Sequence, residues 1–161
     1  MFENDATLGR MFPYRPISQL LSSSPGEIHS VEPGDTVLSA LQVLADRHVG
    51  MLVVLEGGKL VGVMSERDYA RKVVLAGRRP ETTTVSEIMT RDVVTVGLDA
   101  QFRDCMLLMN KHRFRHMPVV DGGRVVRVIS ILDILREAIA HHEKVIAELE
   151  RERLTIFNSQ A

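Results

Sequence analysis

The feature that most constrains this chain is that it is written twice. Displaced by 65 positions, without a gap, Val31 falls on Val96, Val54 on Val119, Gly57 and Gly58 on Gly122 and Gly123, and Val61 on Val126. Val63 likewise falls on Val128, Ser65 on Ser130, Asp68 on Asp133 and Arg71 on Arg136. Upstream the match resumes at a displacement of 68, with residues 17–22 on residues 85–90, so the first copy holds three extra residues around Ser23, Ser24, Pro25 and Gly26. These read as a longer loop. A repeat of this kind means that one supersecondary unit, unable to bury its apolar face alone, is packed against its own copy.

Each copy carries the same pattern. Val37, Leu41, Leu44 and Ala45 sit at helical spacing within residues 36–48, as do Phe102, Cys105, Met106 and Met109 within 101–112, so each segment predicts a one-sided helix. A short apolar run follows at 51–55 or 117–120, then a turn at 56–59 or 121–124 whose paired glycines supply the positive φ of a tight hairpin. A second run returns at 60–64 or 125–129, and a new helix starts at Ser65 or Ser130. Serine there can cap it, with Asp68 three residues on as in a capping box.

With a short strand near 28–31 or 93–96, this predicts an α+β fold of two β-α-β-β-α repeats packed as a pseudo-twofold module over one shared core. Residues 1–16 form an N-terminal arm, 17–77 the first repeat, 78–84 a linker, 85–141 the second repeat and 142–161 a helical tail.

Composition narrows the classes. With 45% apolar and 25% charged residues the chain is neither disordered nor too polar for a core. The single cysteine, Cys105, excludes an internal disulfide and fits a reducing compartment. Residues 1–10 lack the apolar stretch of about 7–15 residues that a signal peptide needs, and no apolar run approaches the ~20 residues of a membrane span. A cytoplasmic protein, not embedded in a membrane, is expected. Lys+Arg 20 against Asp+Glu 21, and only 5 Phe and 2 Tyr for stacking, argue against nucleic acid as partner.

The repeated residues resemble the CBS domain, named for cystathionine β-synthase, and the tandem pair resembles a Bateman module. The resemblance runs over about residues 17–141 and is carried by GVMSERDY at 62–69, IMTRDVVTV at 88–96, HMPVVDGG at 116–123 and VISILDIL at 128–135. It implies a non-catalytic regulatory module that binds adenosine-containing small molecules in two clefts between the repeats. AMP, ADP, ATP, S-adenosylmethionine and dinucleotides are the candidate ligands. It implies further that Asp68 and Asp133 accept hydrogen bonds from the ribose hydroxyls, that Ser65 and Ser130 help to hold the ribose-phosphate, and that Thr90, Val93 and Pro118 lie in the cleft walls.

The chemistry stands without the family. A carboxylate can accept two hydrogen bonds from a vicinal diol, and a phosphate beside it can meet the N–H groups at the helix start. The plain alternative is that Ser and Asp only cap their helices. The two motifs differ: Arg67 lies inside the first, whereas Ile131 and Leu132 fill the second. Arg115 and His116 precede the second hairpin where the first copy has Gly50 and Met51, and in the family that place approaches the phosphates of a ligand held by the other repeat. The cleft of Asp68 is therefore expected to gather Arg67, Arg115 and His116 around a phosphate or diphosphate, and that of Asp133 to take a smaller or less charged nucleotide. NAD(H) is a candidate for one of them. The basic cluster fits a solvated helix end equally well. Arg127 replaces Gly62 in the second copy, and is expected to point outward or to narrow the second cleft.

Other features yield less. His112 and His116 flank a turn without a supporting ligand cluster, His141 and His142 lie on a polar helix face, and Cys105 sits among core methionines. Neither the P-loop nor the dinucleotide glycine pattern occurs. Leu135, Ile139, His142, Ile146, Leu149, Arg153 and Ile156 alternate in steps of four and three, a seam that can pair with a second chain or fold back on its own module. The expected function is a ligand sensor, a homodimer acting on a downstream protein target that the sequence does not name. A dimeric interaction scaffold with vestigial clefts is the alternative.

Overall fold

The computed structural model describes residues 15–23 and 26–159, so most of the N-terminal arm, and Ser24 and Pro25 of the expected loop, lie outside the described residues. In chain order the elements are α1 (Ile17–Ser23), β1 (Ser30–Val31), α2 (Val37–Arg47), β2 (Met51–Glu56), β3 (Lys59–Ser65) and α3 (Glu66–Tyr69). A π-helical turn (Ala70–Val74) continues α3, and α4 (Val85–Ile88), α5 (Phe102–His112), β4 (His116–Asp121), β5 (Arg124–Ser130) and α6 (Ile131–Ser159) complete the chain.

The repeat is visible down to single dihedral angles. Thr36 caps α2 by accepting from the Ser39 N–H at 3.1 Å. The helix ends at His48 in the left-handed region (φ 52°), and α5 ends at the equivalent Arg113 (φ 56°). Val37, Ala40 and Leu44 of α2 are buried, as are Phe102, Cys105 and Met109 of α5. Ala45, expected on the core face, is exposed, because the stripe closes on Ala40 one turn earlier. Both hairpin turns carry two glycines at positive φ (56° and 79°; 54° and 79°), the conformation that matches strand twist. Both hairpins also shift register at equivalent places, Val54/Leu55 and Val119/Val120.

One expected strand is missing. β1 pairs parallel with β2 in a three-stranded sheet, but its counterpart at 93–96 shrinks to a single bridge, Val96 to Val119. In the first repeat the Val53 N–H donates to the His29 carbonyl at 3.3 Å. The equivalent of Val53 is Pro118, which has no N–H to offer Val94.

The single shared core is corrected to two. The leading segment of each repeat packs into the other: Ile17 and Leu20 lie with Phe102, Met109, Met117 and Ile134, whereas Val85 and Ile88 lie with Val37, Leu44, Leu52 and Met64. Main-chain bonds fix the exchange, Ile17 N–H to Ala100 C=O at 2.9 Å in one direction and Val85 N–H to Asp35 C=O at 2.9 Å in the other. Each fully buried Leu, Ile or Phe side chain contributes about 1.5–3 kcal/mol, so neither repeat keeps its core without its neighbour's leading segment.

Arg127 takes neither of its expected positions. It is buried, its Nη1 donates to the Leu20 carbonyl at 3.0 Å, and its guanidinium lies over Gly26. Gly26 leaves the room by carrying no Cβ, since one built there would stand 3.0 Å from Arg127 Nε. At Gly62 the equivalent room is closed, since a Cβ there would stand 2.7 Å from Met89 Sδ and 3.1 Å from the Thr90 carbonyl. Among the described residues no helix is long and apolar enough to cross a membrane.

Candidate functional site

The site begins where β3 becomes α3. Ser65, last in the strand, is the N-cap: its Oγ accepts from the Asp68 N–H at 3.2 Å, and Asp68 Oδ2 accepts from the Ser65 N–H at 3.0 Å and from its hydroxyl at 2.7 Å. The same box closes at Ser130 and Asp133, with contacts of 3.2, 2.7 and 2.8 Å. Both Ser–Asp pairs therefore cap their helices, and the cap consumes only one oxygen of each carboxylate. In the first repeat the other, Oδ1, receives Lys72 Nζ at 2.7 Å and the Thr90 hydroxyl at 3.3 Å. Thr90 is brought there by paired main-chain bonds with Val63, 3.0 and 2.9 Å. Among the described residues Asp133 Oδ1 accepts no hydrogen bond.

In front of Asp68 opens a cleft of about 660 Å³. Ligand pockets commonly run from about 300 to 1,000 Å³, so the cleft has room for a nucleotide. Of the ten residues singled out in the sequence, Ser65, Arg67, Asp68, Thr90, Val93, Arg115, His116 and Pro118 line it. Arg67 is already engaged across the pseudo-twofold, its Nη1 donating to the Arg113 carbonyl. Arg71 and Lys72, which the sequence reading missed, add two cations, and Glu66 and Asp92 add carboxylates. Lys72 is held by the Ile88 carbonyl at 2.6 Å as well as by Asp68. A signal for it existed: it stands four residues after Asp68, where the second repeat has Glu137. That glutamate pairs instead with Arg15, at 2.9 Å.

Ser130 and Asp133 line a second cleft of about 230 Å³, below the usual range for ligand pockets. Its described walls include Glu27, His29, His48 and Val49, and neither lysine nor arginine. His116 and the equivalent Met51 line both clefts and form the partition between them. His116 packs over Gly50, where an added Cβ would come within 3.1 Å of the imidazole. Burial holds His116 below the usual histidine range, against the carboxylates of Asp133 and Glu66, which raise it, and together with Arg115, which lowers it.

Among the described residues no three His, Cys, Asp or Glu side chains are placed to hold a metal ion. Burial pushes the Cys105 thiol up to about 11, with Asp104 adding to the rise. The thiol is protonated at neutral pH and packs as an apolar group.

Comparison with known proteins bears on the whole arrangement. The sequence profile of the CBS domain matches residues 18–75 and 85–140. The mitochondrial CBS domain-containing protein CBSX3 of Arabidopsis thaliana is 35% identical over 122 residues, 73% of this chain and 58% of that protein. CBSCBSPB2 of the same plant is 34% identical over 116 residues, 71% of this chain but 22% of its own length. The chain therefore spans only part of these relatives. Among solved structures, a signal-transduction protein with CBS domains from Burkholderia ambifaria MC40-6, so described only putatively, superposes with a TM-score of 0.75 at 40% identity, over 78% of this chain and 95% of that one. The CBS domain pair of MJ0100, solved in complex with 5′-methylthioadenosine and S-adenosyl-L-methionine, superposes with a TM-score of 0.66 at 28% identity, over 77% and 95% of the two chains. Two profile matches on the two halves of the repeat, and the same pairing of halves in space, make this chain a member of the CBS domain family, as a tandem pair.

Proposed function

We propose that the chain is a non-catalytic sensor whose larger cleft takes a phosphorylated adenine nucleotide, AMP, ADP or ATP, with NAD(H) the largest guest considered. The smaller cleft takes an adenosine derivative with little negative charge. One observation carries the reading: the two clefts have the same Ser–Asp frame, yet Arg67, Arg71, Lys72 and Arg115 line only the larger. A diol acceptor beside clustered cations suits a ribose joined to phosphate, and the same acceptor without cations suits a nucleoside. That a related domain pair binds two adenosine compounds supports the ligand class. Occupancy acts on a downstream protein by favouring one packing of the repeats, to the extent of the ligand's differential affinity. Cys105 as the single cysteine favours a reducing, cytoplasmic setting.

A second reading, the interaction scaffold with vestigial clefts, draws on a specific fact: Asp68 Oδ1 is already occupied by Lys72. Thermal melting separates the two, because a ligand at a hundred times its dissociation constant stabilises the fold by about 2.7 kcal/mol. Melting with AMP, ATP, NADH and adenosine, and calorimetry on Asp68→Ala and Asp133→Ala separately, are the tests. Loss of phosphorylated ligands from the first variant alone supports the sensor. No shift with any ligand leaves the scaffold.

A further inference from the structure

Among the described side chains of α6, Ile134 and Ala138 are the buried ones, and residues 142–153 are exposed throughout. The helix has 29 residues, and residues 142–153, about 18 Å of it at 1.5 Å per residue, stand clear of the module. Residues 142–153 of the tail do not fold back on the described repeats. Its apolar spacing nevertheless continues: Leu132, Ile139, Ile146 and Leu149 are each between 56% and 59% exposed. Such a stripe on a projecting helix is the face of an interface, since a helix with an apolar side needs a surface against it.

We infer that this stripe is covered by α6 of a second copy of the chain, the two helices running antiparallel as a short coiled coil about a twofold axis near Lys144. Two arguments select a second copy. Between residues 142 and 153 the charges nearly cancel, Glu143, Glu148, Glu150 and Glu152 against Lys144, Arg151 and Arg153, so like helices meet without net repulsion, and neither a strongly basic nor a strongly acidic surface is complemented. The seam is also self-complementary in one register. Ile139 then faces Leu149 of the other copy, Ile146 faces His142, and the aliphatic stem of Arg153 covers Leu135. Arg136 meets Glu150 twice through the symmetry, and at the axis Val145 meets its own copy on one flank and Glu143 its own copy on the other, beside Lys144. The parallel alignment instead sets His142 on His142 and Arg153 on Arg153, with Val145 beside Glu150 and no opposite charges across the seam. An isologous contact of this kind closes at two copies. The inference is independent of any nucleotide, so it stands or falls apart from the sensor reading.

The full chain is tested by sedimentation velocity over a concentration series, beside the double variant Ile146→Glu with Leu149→Glu. Both residues are exposed, and a single cooperative melting transition of the variant shows that its module is folded. Removing four apolar side chains per dimer should weaken association by about a hundredfold or more. Ile139→Cys and Leu149→Cys, made separately and then mixed in a thiol–disulfide buffer, report the direction, with Cys105 fully buried and out of the exchange. A disulfide that forms only in the mixture supports the antiparallel pair. A monomeric wild type, a double variant that associates equally well, disulfides within either variant alone, or no disulfide in the mixture would each overturn it.

Discussion

The ammonium of Lys72 rests 2.7 Å from Oδ1 of Asp68, one turn along the same helical segment, on the oxygen that the capping box leaves open. The ion pair occupies the place proposed here for a ribose hydroxyl. A diol approaching Asp68 therefore has to share or displace the ammonium, and a phosphate nearby offers it another partner. In the second repeat Glu137 stands at that position and turns to Arg15, and no lysine or arginine among the described residues reaches Asp133.

Replacing Lys72 tests this exchange. Lys72→Met should weaken a phosphorylated nucleotide about tenfold or more, the scale of a charged hydrogen bond, while leaving adenosine unchanged or tighter because Asp68 is freed. Calorimetry with AMP and adenosine on one preparation reads both. Equal losses for the two ligands would remove Lys72 from phosphate recognition.

The capping boxes should be separable from ligand binding. Ser65→Ala and Ser130→Ala each remove an N-cap hydroxyl and should lower stability by about 0.5–2 kcal/mol without any ligand present. Urea unfolding measures the cost. If neither variant loses stability, the boxes are incidental to the fold.

His116 should make both stability and affinity depend on pH. Its folded value lies below the unfolded value of about 6.5, because burial outweighs the help from Asp133 and Glu66. The associated stability is complete above about pH 6.5 and is lost as pH falls through the folded value, where the unfolded chain takes up the proton more readily. A phosphate in the larger cleft acts in the opposite sense by favouring the imidazolium, so nucleotide affinity should rise on acidification over the same window. His116→Gln should flatten both trends in unfolding and binding measured at several pH values. Slopes that survive the substitution belong to other groups.

Gly62 should tolerate no side chain. An alanine Cβ would press on the end of Met89, which can move, and on the Thr90 carbonyl, which is fixed by its bond to the Val63 N–H at 3.0 Å. Gly62→Ala is expected to cost about 1–3 kcal/mol by overpacking and to displace Thr90 from Asp68, weakening ligands of the larger cleft. Unfolding and binding that both match the wild type would show that the strand gives way freely.

Much of the fold could be read from the order of residues, because its determinants are local. Helical spacing, paired glycines and Ser–Asp caps act over a few residues, so α2, α5 and both hairpins fall within a residue or so of their expected limits. The strand at 93–96 failed for a local reason in a distant place, the missing N–H of Pro118. The fate of Arg127 was hidden because it turns on the space left at Gly26, and that of Ala45 because helical spacing does not say on which side of the stripe the buried face ends. Most of the larger cleft was legible through the repeat, whereas Lys72 was overlooked because its meaning appears only beside Asp68 and against Glu137.

The sequence by itself determined the duplication, the elements within each copy and the acid–hydroxyl pair at each helix start, since these follow from periodicity and short-range hydrogen bonding. Only the tertiary structure decided that each repeat completes its core with the other's leading segment, that His116 stands as a wall between two unequal clefts, and that α6 runs on past the module. Those outcomes depend on which surfaces meet across long stretches of chain, where packing and burial, rather than any local preference, set the lowest free energy.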